Sequence, residues 1–224
     1  MSNKLAHQHI TDTDFNGSDF NQADLSGADF RNCQFLGASF RSATLRGAVF
    51  ERCDFYDPDA EVSVDFTFAD LTEARFERCD LTTANLSRTR CYDLVFDNCP
   101  LQGVELANAD FRLNIGNAGD LAAFTMKGCN FAYGDLSNTY LKGCALTDNR
   151  MIEALLDNAC LEAVDFTGSD LSNIHGKGMS LVGADLRGAI FNNLNPRYID
   201  LTGVRITLDQ ALWLLDPLGV VIEP

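Results

Sequence analysis

Every fifth residue from Ile10 to Phe55 is large and apolar: Ile10, Phe15, Phe20, Leu25, Phe30, Phe35, Phe40, Leu45, Phe50 and Phe55. Two places before most of these central positions stands a small residue, as in Ala23, Ala28, Cys33, Ala38, Ala43, Ala48 and Cys53. A period of five matches neither the helical period of about 3.6 nor the strand period of about 2. In an extended chain, residues two apart point the same way, so each small–large pair can face inward together. A bend must then follow in every five residues. Twelve of the 17 glycines supply it, standing two places after a central residue, among them Gly17, Gly27, Gly37, Gly47, Gly103 and Gly128. That is where a type II turn wants a positive φ. Four bends close a square of about 20 residues, a stacked repeat of the solenoid kind. The pattern predicts an all-β solenoid: a right-handed quadrilateral β-helix with a Phe/Leu core.

The series is interrupted twice. It resumes one residue out of phase at Phe66 and runs to Phe111, then continues from Met126 to Ile206, with only Gly176 and Pro196 out of character. The first break, residues 56–63 (loop A), contains Tyr56, Asp57, Pro58, Asp59 and Glu61. The second, about residues 114–125 (loop B), contains Asn114, Ile115, Asn117, Asp120, Leu121 and Phe124. Counting in fives would make Gly116 and Leu121 central, but Asn114 and Phe124 are not small inward partners, so the segment reads as an extruded loop. Fourteen of the 16 phenylalanines are central; Phe68 and Phe124 are not. Phe124 has two readings, an anchor folded back onto the coil or an exposed contact, and is grouped with the partner-binding candidates.

Runs such as Ala23-Asp24-Leu25-Ser26-Gly27-Ala28-Asp29-Phe30 resemble the consensus of pentapeptide-repeat proteins, and the resemblance spans about residues 10–206. A short break followed by a longer one in an acidic rod resembles the Qnr quinolone-resistance proteins of the Gram-negative chromosomal type. Tyr56-Asp57 and Asp148-Asn149-Arg150-Met151 are similar to sequence of that family. The resemblance implies binding to DNA gyrase and topoisomerase IV, protection of both from fluoroquinolones, and a need for the two loops. A pentapeptide-repeat scaffold for an unrelated protein partner is the alternative.

Charge limits the partners. Lys and Arg number 17 against 32 Asp and Glu, a net charge of −15. Direct nucleic-acid binding needs a basic surface, and anionic membranes are disfavoured for the same reason. A basic protein partner, one that normally grips DNA, is the natural complement. The middle, residues 56–125, is the most acidic part at −8 (5 basic, 13 acidic). Fourteen of the 24 aspartates directly precede a central residue, a regularity that reads as a surface ladder rather than a catalytic pair. The eight cysteines mostly fall at inward positions and read as buried thiols in a reducing, cytoplasmic setting. No metal-ligand spacing, nucleophile elbow or phosphate-binding loop stands in the chain, so neither cofactor nor catalysis is expected.

After Ile206 the period changes. Thr207 and Gln210 fit a capping box, and Leu208, Ala211, Leu212, Leu215 and Leu218 then recur at helical spacing. Residues 1–206 are thus assigned to the β-helix and 207–224 to a capping and dimerisation tail. Leu208, Leu212, Trp213, Leu215 and Val221 are the expected interface of a homodimer, with Val220-Val221-Ile222 as an additional extended pairing segment.

Overall fold

The coil is closed by parallel pairing of each residue with the one a full turn later. His9 pairs with Asp29 and Asp29 with Val49, a step of 20 residues. The step grows to 26 across the first break, Val49 to Arg75, and to 30 across the second, Val95 to Thr125. The breaks therefore add six and ten residues to otherwise regular coils. The computed structural model describes residues 5–116 and 119–221, apart from the side chain of Asp216.

Four columns of paired residues mark four faces. The first runs Asp14, Gln34, Asp54, Asp80; the second Asp19, Ser39, Asp65, Asn85; the third Asp24, Thr44, Asp70, Arg90. The fourth carries the longer strands: β1 (His9–Thr11), β2 (Asp29–Arg31), β3 (Val49–Glu51), β4 (Arg75–Glu77), β5 (Leu94–Asp97), β8 (Phe124–Lys127) and β9 (Ala145–Thr147). They form one parallel sheet in that order. Strands β6 (Arg112–Asn114) and β7 (Asp120–Ala122) lie in the second break.

The expected central residues are the core. Phe30, Phe35, Phe40, Phe50, Phe55, Phe66 and Phe76 are fully buried, each burial contributing about 2 kcal/mol. Identical positions stack from coil to coil, Phe15 on Phe35 on Phe55 at 5.2 and 5.0 Å, and Phe30 on Phe50 on Phe76 at 5.0 and 4.8 Å. The glycines two places on have positive φ as predicted, for example 64° at Gly17 and 66° at Gly103. Many corners without glycine take the same conformation on Asn, Asp or Arg, such as Asn32 and Arg78.

Why the fourth face has the longer strands is visible at the corner that follows it. At the other corners the inward small residue donates its N–H to the central residue three before it, as Ala28 does to Leu25 at 3.1 Å. Between the fourth and first faces a side chain takes over this role from Cys53 to Asn149, before Ser169 and Ala189 return to the backbone bond at 3.0 and 2.9 Å. The N–H groups of Cys53, Cys79 and Cys99 donate to the sulfur of the next cysteine up the column, each at 3.4 Å. Those of Cys129 and Asn149 donate to Asn149 Oδ1 and Ser169 Oγ at 2.9 and 3.0 Å. The same side chains donate to the carbonyls left over, Cys79 Sγ to Phe50 and Asn149 Nδ2 to Met126. All eight cysteines are free thiols and all but Cys160 are buried.

The outer aspartates have a local task beyond covering the coil. Many accept the N–H two residues on, as Asp14 from Asn16, Asp24 from Ser26 and Asp170 from Ser172 at 2.8, 3.0 and 3.0 Å. The backbone is thereby satisfied with one carboxylate oxygen, leaving the other to face outward.

The tail forms helix α1 (Leu208–Leu215). Its capping box is present: Thr207 N–H donates to Gln210 Oε1 at 2.7 Å and Gln210 N–H to Thr207 Oγ1 at 3.4 Å. Gln210 does more. Its buried Nε2 donates to the carbonyls of Leu186 and Ala189, both at 2.6 Å, and so closes the end of the coil. The helix stops two residues before Pro217, and Gly219 turns the chain with φ of 75°.

Candidate partner-binding surface

Loop A is a small hairpin-like turn. Asp57 N–H donates to the Val62 carbonyl at 2.8 Å and Val62 N–H returns the bond at 3.2 Å. Asp57 Oδ1 accepts the N–H groups of Asp59 and Ala60 at 3.0 and 3.1 Å, so this carboxylate shapes the turn. Pro58, Asp59 and Glu61 are exposed at the tip; Tyr56 is half-buried at its root. Ser63 Oγ ties the exit to the Thr82 carbonyl at 2.8 Å. A cavity of about 680 Å³, open to solvent, lies beside the root, lined by Tyr56, Pro58, Asp80, Thr82, Asn98 and Gln102 among others.

Loop B is not shapeless. Strands β6 and β7 pair antiparallel, Arg112 with Ala122, Leu113 with Leu121 and Asn114 with Asp120. Asn114 Nδ2 donates to Asp120 Oδ1 at 2.9 Å, and Arg112 bridges Asp110 and Asp120 at 2.9 and 3.3 Å. Asp120 is thus engaged within the hairpin. Leu113, Ile115 and Leu121 share one hairpin face and are each nearly half exposed. Leu113 is not among the expected contacts, yet the alternation of apolar and polar residues on either side of Gly116 and Gly119 is its signal. Asn117 lies outside the described residues.

Phe124 corrects the expectation of an exposed contact. It is only 2% exposed, pairs with Leu94 in the parallel sheet, and lies 4.5 Å from the Phe111 ring and 6.1 Å from that of Phe96. Loop B accordingly ends before Phe124, which already belongs to β8. The physical reason is phase: residue 124 is two before central Met126 and must point inward. Phe68, the other non-central phenylalanine, is half exposed with the Arg88 guanidinium 5.9 Å from its ring centre.

Charge is distributed unevenly among the faces. Across the nine coils the first face carries five carboxylates, Asp14, Asp54, Asp80, Glu153 and Asp170, against Arg150 alone, with Asp57 of loop A as a sixth beside them. Among the described residues none of these six enters an ion pair, nor do Asp19, Glu105 and Asp135 on the second face, whereas Asp65, Asp70, Asp110, Glu162 and Asp185 on the second, third and fourth faces do. Burial together with the neighbouring Asp80, its in-register partner, pushes the Asp54 carboxyl up from its ordinary value. Asp70 goes the other way: burial would raise it, but bonds from Thr72 and the cations Arg90 and Arg46 outweigh that and lower it.

At the tail, Leu208 and Val221 are almost fully exposed and Leu212 and Trp213 about half, while Leu215 is half-buried. The indole of Trp213 meets Phe191 edge to face at 5.5 Å. Ile222 is outside the described residues. Among the described residues no group of His, Cys, Asp or Glu converges as a metal site, and no helix is long and apolar enough to cross a membrane.

A family model for pentapeptide repeats matches eight copies, over residues 4–35, 33–60, 62–90, 126–162, 135–173 and 159–195, well over half the chain. The chain belongs to the pentapeptide-repeat family. Its structure superposes on full-length QnrB1, a plasmid-mediated fluoroquinolone resistance protein, with a TM-score of 0.90 at 26% identity, covering 95% of this chain and 100% of that one. A trypsin-treated variant of QnrB1 gives 0.86 at 26% identity, covering 96% of this chain and 99% of that one. A search of curated protein sequences finds no match.

Proposed function

We propose that this chain is a non-catalytic, DNA-mimicking protein that binds DNA gyrase and topoisomerase IV in the cytoplasm and protects them from fluoroquinolones. The observation that carries this reading is the likeness to QnrB1 over nearly the whole of both chains, at a TM-score of 0.90. Charge and shape support it. The nine coils rise about 43 Å at about 4.8 Å per coil. Fifteen net charges over that rise amount to roughly half the linear charge density of duplex DNA. A groove that grips DNA through basic side chains would attract such a rod without any nucleic acid. The unpaired carboxylates of the first face are the part of the rod best suited to that groove. Loops A and B supply shaped contacts, and the exposed apolar residues of the tail join two rods end to end as a homodimer. The test is gyrase supercoiling at a fixed inhibitory concentration of ciprofloxacin, titrated with the purified protein. Recovery of supercoiling at substoichiometric to equimolar protein is expected; no recovery at any concentration rejects the reading and favours a scaffold for another partner.

A further inference from the structure

We infer that the partner surface is a cleft with two walls, and that the two loops engage opposite walls. The inference rests on the functional reading above and adds the shape of what is bound. Loop A leaves the coil after Phe55 on the first face, and the chain re-enters at Asp65 on the second. Loop B leaves after Phe111, whose neighbour Asp110 is on the third face, and re-enters at β8 on the fourth. Between these exits lie two and a half coils. The loops therefore stand at diagonally opposite corners of the square, about 12 Å apart along the axis.

A convex square rod laid on a flat surface touches it by one face or one edge. Diagonal corners can never touch the same plane together. Loops that reached toward each other across the second or the fourth face could evade this, but loop A lies against the first face and loop B against the third. Loop A is stiffened by the Asp57–Val62 pair and leans along its own corner, with Val62 packed beside Gly37 of the preceding coil. Loop B is held over the third face by Arg112, which grips Asp110 and Asp120 and lies 6.0 Å from the Tyr140 ring. Each loop also exposes apolar surface on an otherwise acidic rod: Val62 and Pro58 in loop A, and Leu113, Ile115 and Leu121 in loop B. Apolar anchors within a charged surround are the usual composition of a desolvated contact. Three extended residues per face give a backbone side of roughly 10 Å, and outward side chains bring the rod to roughly 20 Å. The surface that fits is a basic protein cleft of about that width with an apolar pocket on each wall.

The experiment places a photo-cross-linking amino acid at Pro58, at Ile115, or at both, and irradiates the purified complex with gyrase. Each single probe is expected to cross-link, and the doubly substituted chain is expected to yield a product in which one rod is joined to gyrase at two places. Shortening either loop to a turn should weaken binding at least tenfold while circular dichroism stays unchanged. Gyrase that captures only one probe, or never both on one molecule, overturns the two-walled cleft while leaving the proposed function standing, as does a loop whose shortening leaves the affinity unchanged. If the intact protein neither cross-links nor protects, the functional reading falls and the inference falls with it.

Discussion

The N–H of Cys53 donates to Sγ of Cys79 one coil further on, at 3.4 Å, and the Cys79 thiol donates to the Phe50 carbonyl at 3.3 Å. One buried thiol thus satisfies two backbone groups that a hydrogen-bonded turn would otherwise join. Cys79→Ala leaves both without a partner, at about 1–3 kcal/mol. Cys79→Ser should cost less, because Ser169 in the same column makes the equivalent bonds to Asn149 N–H and the Leu146 carbonyl. Urea unfolding of the two variants decides the point. An alanine variant as stable as the serine one would mean that the ladder contributes only volume.

The coil is legible in the sequence because its signal is redundant: the large residue, the small one and the turn glycine each report the same period. The ladder is not, since a cysteine at an inward position reads from sequence only as something small. Nor does sequence separate an aspartate that faces solvent from one that also caps a neighbouring N–H, as Asp24 does for Ser26. The breaks show themselves by the failure of the period, but their contents follow other rules. Asp57 shapes its own turn, Asp120 is consumed by Arg112 and Asn114, and Leu113 acquires its exposure from a hairpin that a five-residue count ignores. Phe124 stands at the boundary between the two regimes, and its spacing from Met126 is the signal that puts it on the side of the coil.

Phe124 and Leu121 should therefore separate stability from recognition. Phe124→Ala empties a buried site against Phe111 and Phe96 and should cost about 3–5 kcal/mol. Leu121→Ser alters an exposed side chain and should change stability by about 0.5 kcal/mol or less. Protection against ciprofloxacin at a temperature where both are folded should be lost with Leu121→Ser and largely kept with Phe124→Ala. Thermal melts beside the supercoiling assay check both halves, and the reverse ranking would return Phe124 to the contact surface.

Thiol chemistry should single out one cysteine. Burial pushes the Cys91 and Cys144 thiols up to about 12, so neither offers thiolate at pH 8. Cys160 alone is partly exposed. Native protein treated with iodoacetamide should gain one adduct, at Cys160, and all eight only after denaturation. Peptide mass spectrometry reads the sites; rapid native labelling of the Cys53–Cys129 column would contradict its burial.

The tail joins two tasks that point mutations can part. Gln210→Ala removes both bonds to the last coil and should destabilise the rod by about 1–3 kcal/mol without changing its oligomeric state. Leu208→Asp with Leu212→Asp charges the exposed apolar side and should give a folded monomer. Light scattering with circular dichroism distinguishes these. A charged variant that remains dimeric removes the helix from the interface.

Asp54 offers a test in which stability and binding should move oppositely. Its carboxyl is raised by burial and by Asp80 in register on the next coil, about 4.8 Å along the axis. A folded-state value above the unfolded one, about 3.9, means a contribution fully present below that pH and lost as pH rises through the folded value. At neutral pH the ionised Asp54 therefore works against the fold. Asp54→Asn should be more stable than the parent at pH 7, with the difference shrinking as the pH falls to about 4. Asp70 supplies the opposite slope: its lowered value gives stability present at neutral pH and lost as pH falls below about 4, in parent and variant alike. If the first face meets a basic groove, the same Asp54→Asn change should weaken protection of gyrase, and Asp80→Asn should add to the loss. An equal loss of charge at Asp24, on the third face, should leave protection nearly intact. Melting curves at pH 4 and 7 together with supercoiling titrations supply the comparison. Equal effects from the first and third faces would mean that net charge, and not the position of the carboxylates, governs recognition.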